Sequence, residues 1–280
     1  MAKLRNSRRI VIGDVHGQYV GLVTLLEQVA PGAGDTVYFL GDLIDRGPCS
    51  ADVVQLVRRE EYQVIRGNHE EMLLQSINTD GVINQTTLPL CVQSGGRQTL
   101  DSYQQQGSHG IDLLLDDIAW IQDLPYYLDL GNYWLVHAGL DPERSLDQQT
   151  ADEYCWIRDA FHTSQQPYFK NKVIVTGHTI TFTFPGIEPG VVVRGKGWLG
   201  IDTGAYHPKS GWLTAFVLDQ ELIYQVNVQT METRALPLTE VTATLRLEQI
   251  LQRRRHIEQL RQQQAAAAEA EAQAAEVAHS

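Results

Sequence analysis

The sequence predicts an α/β fold, and two observations lead to this prediction. Several short apolar runs of strand character end in a polar block built from Asp, His, Asn and Gly. The segments after the first three blocks have apolar residues at helical spacing, so strands and helices alternate. This alternation favours parallel strand pairing with helices on the faces of the sheet. The runs and their blocks are Arg9–Ile12 with GDVHG, Thr36–Leu40 with GDLIDRG, Tyr62–Ile65 with RGNHE, Tyr133–Val136 with HAG, and Lys172–Thr176 with GHT.

Helices are predicted after the first three blocks. In Tyr19–Val29 the apolar residues recur every three or four positions, and the Pro31-Gly32 pair then breaks the pattern. Ser50–Arg59 repeats this spacing after the second block, and Glu70–Ile77 begins another helix after the third.

The regular alternation of strand and helix patterns ends after the third block. Two helical patterns, Gly95–Tyr103 and Ile111–Leu124, follow a turn-rich stretch and predict a small helical insertion before the fourth block. From Val191 onward, short β-branched and aromatic runs are divided by Gly, Asp and Glu. These runs predict an antiparallel meander that forms a second sheet.

Residues 239–280 are predicted to follow a single domain that spans residues 1–238. Residues 239–264 contain strong helix formers and a partial apolar stripe, which Arg253–Arg255 interrupts, so a coiled coil is not predicted. The remaining Ala/Gln/Glu-rich tail has high helix propensity but cannot bury a core, and we interpret it as an exposed helix. The C-terminal helix offers a surface for association with a partner or with a second copy.

Charge and hydropathy restrict the classes of partner. The 280 residues carry a formal net charge of -12, which argues against nucleic acid or an anionic membrane as the partner. A phosphorylated substrate is compatible with this charge because bound divalent cations can dominate the local field. No apolar stretch reaches the roughly 18 residues of a membrane helix, and the basic start lacks the apolar core of a signal peptide. We therefore expect a cytoplasmic protein.

The polar blocks supply the donors of a metal site. In an open α/β sheet, ligands bind beyond the carboxyl ends of the strands, so the blocks are expected to share one site. Mixed oxygen and nitrogen donors without thiolate suit Mn, Fe or Zn. Two ions that share one carboxylate and a bridging water would satisfy the number of donors. The candidate ligands are Asp14, His16, Asp42, Asn68, His137 and His178.

Other residues of the blocks have the chemistry of a phosphoester hydrolase. His69 is placed to face a leaving group, and Asp45 could fix its tautomer and keep it protonated. Arg46 and Arg158 offer guanidinium groups for the phosphoryl oxygens. Each residue also has a structural alternative, such as a helix cap for Asp14 or a satisfied buried histidine for His137. Their combination in one order favours the metal site.

The ordered blocks GDVHG, GDLIDRG, GNHE, HAG and GHT resemble the signature of the phosphoprotein phosphatase (PPP) family of metallophosphoesterases, over about Arg9 to Asp219. The resemblance implies a β-sandwich of two mixed sheets flanked by helices, with a dinuclear metal site at the carboxyl ends of the strands. It also implies the roles of the candidate residues. It assigns Asp14 and His16 to the first metal, Asp42 as the bridge, Asn68, His137 and His178 to the second metal, His69 as the acid supported by Asp45, and Arg46 and Arg158 as phosphate-binding residues.

The sequence is more similar to bacterial members of that family than to eukaryotic ones. It lacks a SAPNYC-like segment, and its SGGRQTL stretch resembles the NGGxxTL of bacterial relatives. Asp202 and Tyr206 stand where that segment would be. They could line the site, but we interpret Asp202 as a turn-capping residue and Tyr206 as a packed one.

The resemblance predicts a bacterial-type serine/threonine protein phosphatase, with phosphotyrosine as a further candidate substrate. Hydrolysis would proceed by in-line attack of a metal-bridging hydroxide, with Mn expected and Fe or Zn as alternatives. A symmetrical dinucleoside tetraphosphate hydrolase is the alternative, but those relatives tend to lack the Asp of the DRG block, which is Asp45 here. A nuclease-type phosphodiesterase would usually end in GHxH, and His178 is followed by Thr179 and Ile180. An inactive scaffold that binds partners through the C-terminal helix is disfavoured because no ligand position is lost.

Overall fold

The computed structural model describes residues 7–246 and Glu248. In this part of the chain, two six-stranded mixed sheets are flanked by helices, which confirms the predicted fold class. The strands are β1 Arg9–Ile12, β2 Thr36–Phe39, β3 Gln63–Val64, β4 Tyr127–Asp129, β5 Tyr133–Val136, β6 Val173–Thr176, β7 Val192–Arg194, β8 Trp198–Gly200, β9 Trp212–Val217, β10 Leu222–Asn227, β11 Thr233–Pro237 and β12 Thr242–Thr244.

The helices lie between the strands, and the first two have the bounds that the sequence predicted. The third begins at Asn68, so the polar residues of the third block lie on its first turn. A kinked turn, Val92–Gly96, joins the fourth helix to the fifth. The α-helices are α1 Tyr19–Val29, α2 Ser50–Arg59, α3 Asn68–Ser76, α4 Leu88–Cys91, α5 Arg97–Gln104, α6 Gly110–Gln122, α7 Ala151–Trp156, α8 Asp159–His162 and α9 Leu238–Val241.

The first sheet has the strand order β11-β10-β9-β1-β2-β3. Strands β1, β2 and β3 pair in parallel, as the strand–helix alternation predicted. Strand β9 pairs antiparallel with the other edge of β1, with Val11 opposite Phe216. The order in the second sheet is β12-β7-β8-β6-β5-β4, and its β5, β6 and β8 are parallel neighbours.

Strand β1 illustrates how the sheets are held between two cores. Ile10 and Ile12 are fully buried in the core that includes Leu22 of α1, whereas Val11 belongs to a second core that includes Val175 of the other sheet. Successive side chains of a strand point to opposite faces, so β1 contributes to both cores in turn. Full burial of one such aliphatic side chain stabilises a fold by about 1.5–3 kcal/mol.

The prediction of one antiparallel meander as a separate second sheet is wrong. Strands β9, β10 and β11 are antiparallel neighbours, but β9 attaches them to β1 and thus to the first sheet. Strands β7 and β8 instead belong to the second sheet, through β6. The local pattern shows that a segment is a strand but does not show its partner, since pairing is decided by distant segments.

The predicted domain boundary at Leu238 precedes the end of this unit. Strand β12, Thr242–Thr244, pairs in parallel with β7, and the contacts of the chain divide it after Thr244. The predicted helix of residues 239–264 therefore has a strand within its first residues. The rest of that helix, Arg253–Arg255 and the Ala/Gln/Glu-rich tail lie outside the described residues. Within the described part, no helix is long and apolar enough to cross a membrane.

Candidate metal centre and phosphate site

The six candidate metal ligands converge at the carboxyl ends of strands from both sheets. The first sheet delivers four of them after β1, β2 and β3, and the second sheet delivers two after β5 and β6. All six side chains are buried, and four of them line a pocket with a mostly polar surface. The first sheet supplies Asp14, His16, Asp42 and Asn68, and the second supplies His137 and His178.

Asp42 lies between two histidines whose other ring nitrogens are already occupied. The Nδ1 atoms of His16 and His137 lie 2.9 Å and 2.7 Å from the carbonyls of Ile44 and Leu40. A proton shared with these carbonyls leaves the Nε2 lone pairs free for a metal. Those Nε2 atoms lie 3.5 Å from Asp42 Oδ2 and 3.4 Å from Asp42 Oδ1, respectively. The two oxygens of Asp42 thus face different histidines, which fits a carboxylate shared by two ions.

Asn68 and His178 provide a second reason to expect a cation. The Asn68 Oδ1 atom lies 2.9 Å from His137 Nε2 and 2.8 Å from His178 Nδ1. The Nε2 atom of His178 is buried and has no hydrogen-bond partner within the described part of the protein. Asn68 Oδ1 therefore lies between two imidazole nitrogens, and amide oxygen and imidazole nitrogen are both donors that a divalent ion accepts.

Glycine at position 177 permits the close approach of Asp14 to the fifth block. The main-chain N–H of His178 donates to Asp14 Oδ2 at 3.0 Å. A Cβ atom on Gly177 would lie 2.0 Å from Asp14 Oδ1, far inside van der Waals contact. Any larger residue would therefore displace one of the candidate ligands.

Two clusters of possible metal-ligand atoms share Asp42. One group is His16, Asp42 and His69, and the other is Asp14, Asp42 and His137, each with its donor atoms within 4.8 Å of one another. Both groups share Asp42, as the resemblance implied for the bridging residue, but Asp14 lies with His137 instead of His16. The buried carboxylates and imidazoles fit a metal site, and the division of ligands between two ions stays a prediction.

The electrostatics of the cluster favour bound cations. Burial, together with the nearby charges of Asp202 and Asp42, raises the pKa of Asp14 well above its usual range. Burial and the charge of Asp42 also raise the pKa of Asp202 to about 7. Burial lowers the pKa of His16 to about 3, so this imidazole is neutral, the form that binds metals. Divalent ions would offset the charge of the crowded carboxylates, which the nearby Arg158 offsets only in part.

His69 and Asp45 form a buried pair beside the metal ligands. The His69 Nδ1 and Asp45 Oδ2 atoms are 2.6 Å apart, and Asp45 is fully buried. Burial lowers the pKa of His69, but the charge of Asp42 and the hydrogen bond with Asp45 outweigh it, and the net shift is upward. The pair therefore has the arrangement of a proton donor held by a carboxylate.

Both candidate phosphate-binding arginines line the same pocket as His69. Arg46 Nη1 donates to the Tyr206 hydroxyl at 2.6 Å, and its guanidinium lies 4.3 Å from the centre of that ring. Arg46 Nη2 is also 3.2 Å from His69 Nε2. Arg158 Nη1 donates to the hydroxyl of Thr179 at 3.0 Å. Both side chains reach solvent, so they lie where an entering phosphate would meet them.

Sequence reasoning missed part of this site or interpreted it differently. Asp202 does cap a turn, since it accepts the N–H of Gly204 at 2.9 Å, but it also lines the pocket. Tyr206 is a packed residue, since its ring contacts His16, but it also lines the pocket and its hydroxyl holds Arg46. Thr99 and Glu70 contact Asp45 and Asp42 and were not singled out. Both residues belong to motifs that the sequence shows, Thr99 to SGGRQTL and Glu70 to GNHE. A motif alone does not predict which residue its side chain contacts.

Comparison with known proteins shows the family to which this chain is similar. Residues 7–204 match the sequence profile of the calcineurin-like phosphoesterases. Serine/threonine-protein phosphatase 2 of Escherichia coli (strain K12) is 34% identical over 46% of this chain and 56% of its own length. The symmetrical bis(5'-nucleosyl)-tetraphosphatase of Neisseria meningitidis serogroup A is 30% identical over 47% of this chain and 43% of its own length. The chain thus spans about half the length of these curated relatives.

A solved structure shares the fold of this chain. It is a crystal structure assigned provisionally as a diadenosine tetraphosphatase, with a TM-score of 0.55 and 21% sequence identity. The match covers 85% of this chain and 96% of that one. Since the family profile covers most of the described residues and the metal-type side chains meet in one pocket, this chain belongs to the calcineurin-like phosphoesterase family of metal-dependent hydrolases.

Proposed function

We propose that this chain is a metal-dependent phosphomonoesterase that removes phosphate from phosphoserine and phosphothreonine in proteins. The observation that carries this proposal is the buried contact of 2.6 Å between His69 and Asp45. The oxygen of a serine or threonine is a poor leaving group and needs a proton as the ester bond breaks. A nucleoside polyphosphate leaves as a stable anion and depends far less on such a donor.

The candidate residues have different parts in this reaction. The candidate ligands would hold two divalent ions, with Mn expected and Fe or Zn as alternatives, and bound ions of this kind activate water and stabilise charge on the phosphoryl group. Arg46 and Arg158 bind the phosphoryl oxygens and orient the ester. His69 donates the proton on Nε2 to the leaving oxygen, and Asp45 keeps the ring in the orientation that presents this atom. The phosphorylated protein is the expected partner.

Arg46 Nη2 must leave His69 Nε2 to serve the substrate, while Nη1 can stay on Tyr206. A guanidinium is always a donor, so its contact with His69 Nε2 requires a lone pair on that nitrogen. A phosphate that draws Arg46 Nη2 away would free Nε2 to carry the proton for the leaving group. Binding of substrate and readiness of the acid are thereby linked through one side chain.

The test compares substrates on the full-length protein. Metal-stripped protein is reloaded with Mn²⁺, and phosphate release is measured from phosphoserine, phosphothreonine and phosphotyrosine peptides and from diadenosine tetraphosphate. We expect turnover of the phosphoserine and phosphothreonine peptides that requires metal and falls by about 10²-fold or more in His69→Asn. The control is His109→Asn, which changes an exposed histidine on the helical insertion and should leave the rates unchanged.

A symmetrical dinucleoside tetraphosphate hydrolase is the second candidate. It is supported by the relative from Neisseria meningitidis, which carries that name. Turnover of diadenosine tetraphosphate without turnover of peptides would replace the first proposal by this one. Metal binding without turnover of any substrate would contradict both.

A further inference from the structure

We propose that Thr99 is a positioning residue for the proton donor, and that it acts through Asp45. This inference rests on the proposed role of His69 as the acid. Thr99 lies at the start of α5 in the helical insertion and is fully buried. It makes no contact with the candidate metal ligands in the described hydrogen bonds, so its effect on the reaction must pass through Asp45.

The contacts of Thr99 leave its hydroxyl little freedom. Its Oγ1 donates to Asp45 Oδ1 at 2.6 Å and accepts the main-chain N–H of Asp45 at 2.8 Å. A hydroxyl has one proton to donate, and a carboxylate can only accept, so this proton belongs to Asp45. Ser50 Oγ lies 3.1 Å from Thr99 Oγ1, where it can donate to the second lone pair. Every hydrogen-bonding position of the Thr99 hydroxyl is therefore used.

Fixing one carboxylate oxygen of Asp45 fixes the other. Thr99 binds Oδ1, and His69 Nδ1 faces Oδ2 at 2.6 Å. The two oxygens share one plane, so the bond from Thr99 prevents the carboxylate from turning about its Cβ–Cγ bond. The orientation of the carboxylate then sets the orientation of the His69 ring, and with it the direction in which Nε2 points.

The helical insertion also supports the backbone of Asp45 and Arg46 through hydrogen bonds. Asp45 and Arg46 adopt φ angles of 71° and 67°, in the left-handed region that side chains disfavour. Thr99 accepts the N–H of Asp45, and the carbonyl of Gly95 accepts the N–H of Arg46 at 3.0 Å.

Gly95 itself lies at the kinked turn between the fourth and fifth helices and has a φ of 114°. A Cβ on Gly95 would lie 2.8 Å from the nitrogen of Arg46. Here the turn brings the insertion close enough to hold both the acid pair and Arg46.

The experiment separates acid catalysis from stability by varying the leaving group. Thr99→Val keeps the shape and removes the hydroxyl, whereas Thr99→Ser retains it. The full-length Mn²⁺-loaded variants are assayed with phenyl phosphate, which needs acid assistance, and with 2,4-dinitrophenyl phosphate, which does not. We expect Thr99→Val to lower kcat about 10-fold for phenyl phosphate and less than about 2-fold for 2,4-dinitrophenyl phosphate, and Thr99→Ser to restore the rate. KM should be little changed.

Two comparison variants make the result decisive. Thr87→Val removes another hydroxyl hydrogen bond of the insertion, at 2.7 Å to the carbonyl of Gln75, and should leave both rates unchanged. His69→Asn should show the same selective loss as Thr99→Val, but larger. A selective loss in His69→Asn with equal losses, or none, in Thr99→Val would overturn the role of Thr99 alone. No selective loss in His69→Asn would overturn the acid role of His69, and the inference on Thr99 would fall with it.

Discussion

Glu70 binds the backbone of Asp42, the residue at the centre of the candidate metal site. Its Oε2 accepts the main-chain N–H of Asp42 at 2.8 Å, and its Oε1 accepts that of Leu43 at 2.8 Å. Asp42 has a φ of 51°, so its backbone needs support from outside the turn. Burial and the charge of Asp42 raise the pKa of Glu70 to about 7. One side chain of the third block thus shapes the second block.

We predict that Glu70→Gln weakens metal binding about 10-fold, since residues that orient metal ligands typically contribute 10- to 100-fold to affinity. The amide has one acceptor oxygen where the carboxylate has two, so Asp42 and Leu43 cannot both be held as before. Calorimetric titration of the metal-free protein with Mn²⁺ measures the affinity. Glu71→Gln is the control, because Glu71 binds Arg66 and Tyr126 instead of Asp42. Equal affinities for Glu70→Gln and the wild type would contradict this role.

We predict that Tyr206→Phe raises KM for p-nitrophenyl phosphate about 10-fold and leaves kcat within about 2-fold, because a hydrogen bond to a charged group contributes roughly 1.5–3 kcal/mol and a factor of ten corresponds to about 1.4 kcal/mol. The ring remains beside Arg46, but its hydroxyl no longer orients the guanidinium. Steady-state kinetics measure both constants. In an Arg46→Ala background the same substitution should have no effect on KM.

Tyr168→Phe is the matched control for this prediction, because its hydroxyl donates to the carbonyl of Arg144 at 2.9 Å in another pocket. A fall of KM in Tyr206→Phe would mean that the hydroxyl retains Arg46 away from the substrate instead of presenting it.

We predict that Mn²⁺ raises the melting temperature of the metal-free protein. Asp14, Asp42 and Asp202 are buried together, and a cation bound only by the folded state would relieve their repulsion. At a concentration 100 times the dissociation constant, such binding adds about 2.7 kcal/mol to the free energy of unfolding. Differential scanning calorimetry at increasing Mn²⁺ measures the shift. The shift should largely disappear in Asp42→Asn, and an undiminished shift in that variant would place the stabilising ion elsewhere.

We predict that His162 makes the protein less stable in mild acid. Burial, followed by the charge of Arg158, lowers the pKa of His162 to about 3, so the ring is neutral in the folded protein. The unfolded chain takes up this proton below its own pKa of roughly 6.5. The contribution of His162 to the free energy of unfolding is complete above that pH. It falls by about 1.4 kcal/mol for each pH unit as the pH drops toward the pKa of the folded state.

His162→Phe tests this prediction. The ring of His162 lies among Phe161, Phe184 and Trp198, so phenylalanine fits the surroundings. Between pH 7 and pH 5, the free energy of unfolding from urea titration should fall less steeply in the variant than in the wild type. Parallel curves would show that His162 is not the group that titrates.

The sequence predicts what is local in this protein and misses what depends on distant contacts. The bounds of α1 and α2 and the first residues after each strand follow from patterns within a few positions. The support of Asp45 by Thr99 spans 54 residues, and no local pattern records it. The same limit explains why β9, β10 and β11 were placed in the wrong sheet, since only the pairing of β9 with β1 decides it.

The central place of β1 in the first sheet has a consequence for the order in which the chain can fold. Its neighbour β2 follows within a few tens of residues, but its other neighbour β9 ends at Val217. During synthesis the amino-terminal half emerges first, with one edge of β1 still unpaired and its inter-sheet face uncovered. An exposed strand edge is a template for pairing with other chains. We therefore expect the newborn chain to depend on shielding, by the ribosome or a chaperone, until its later strands arrive.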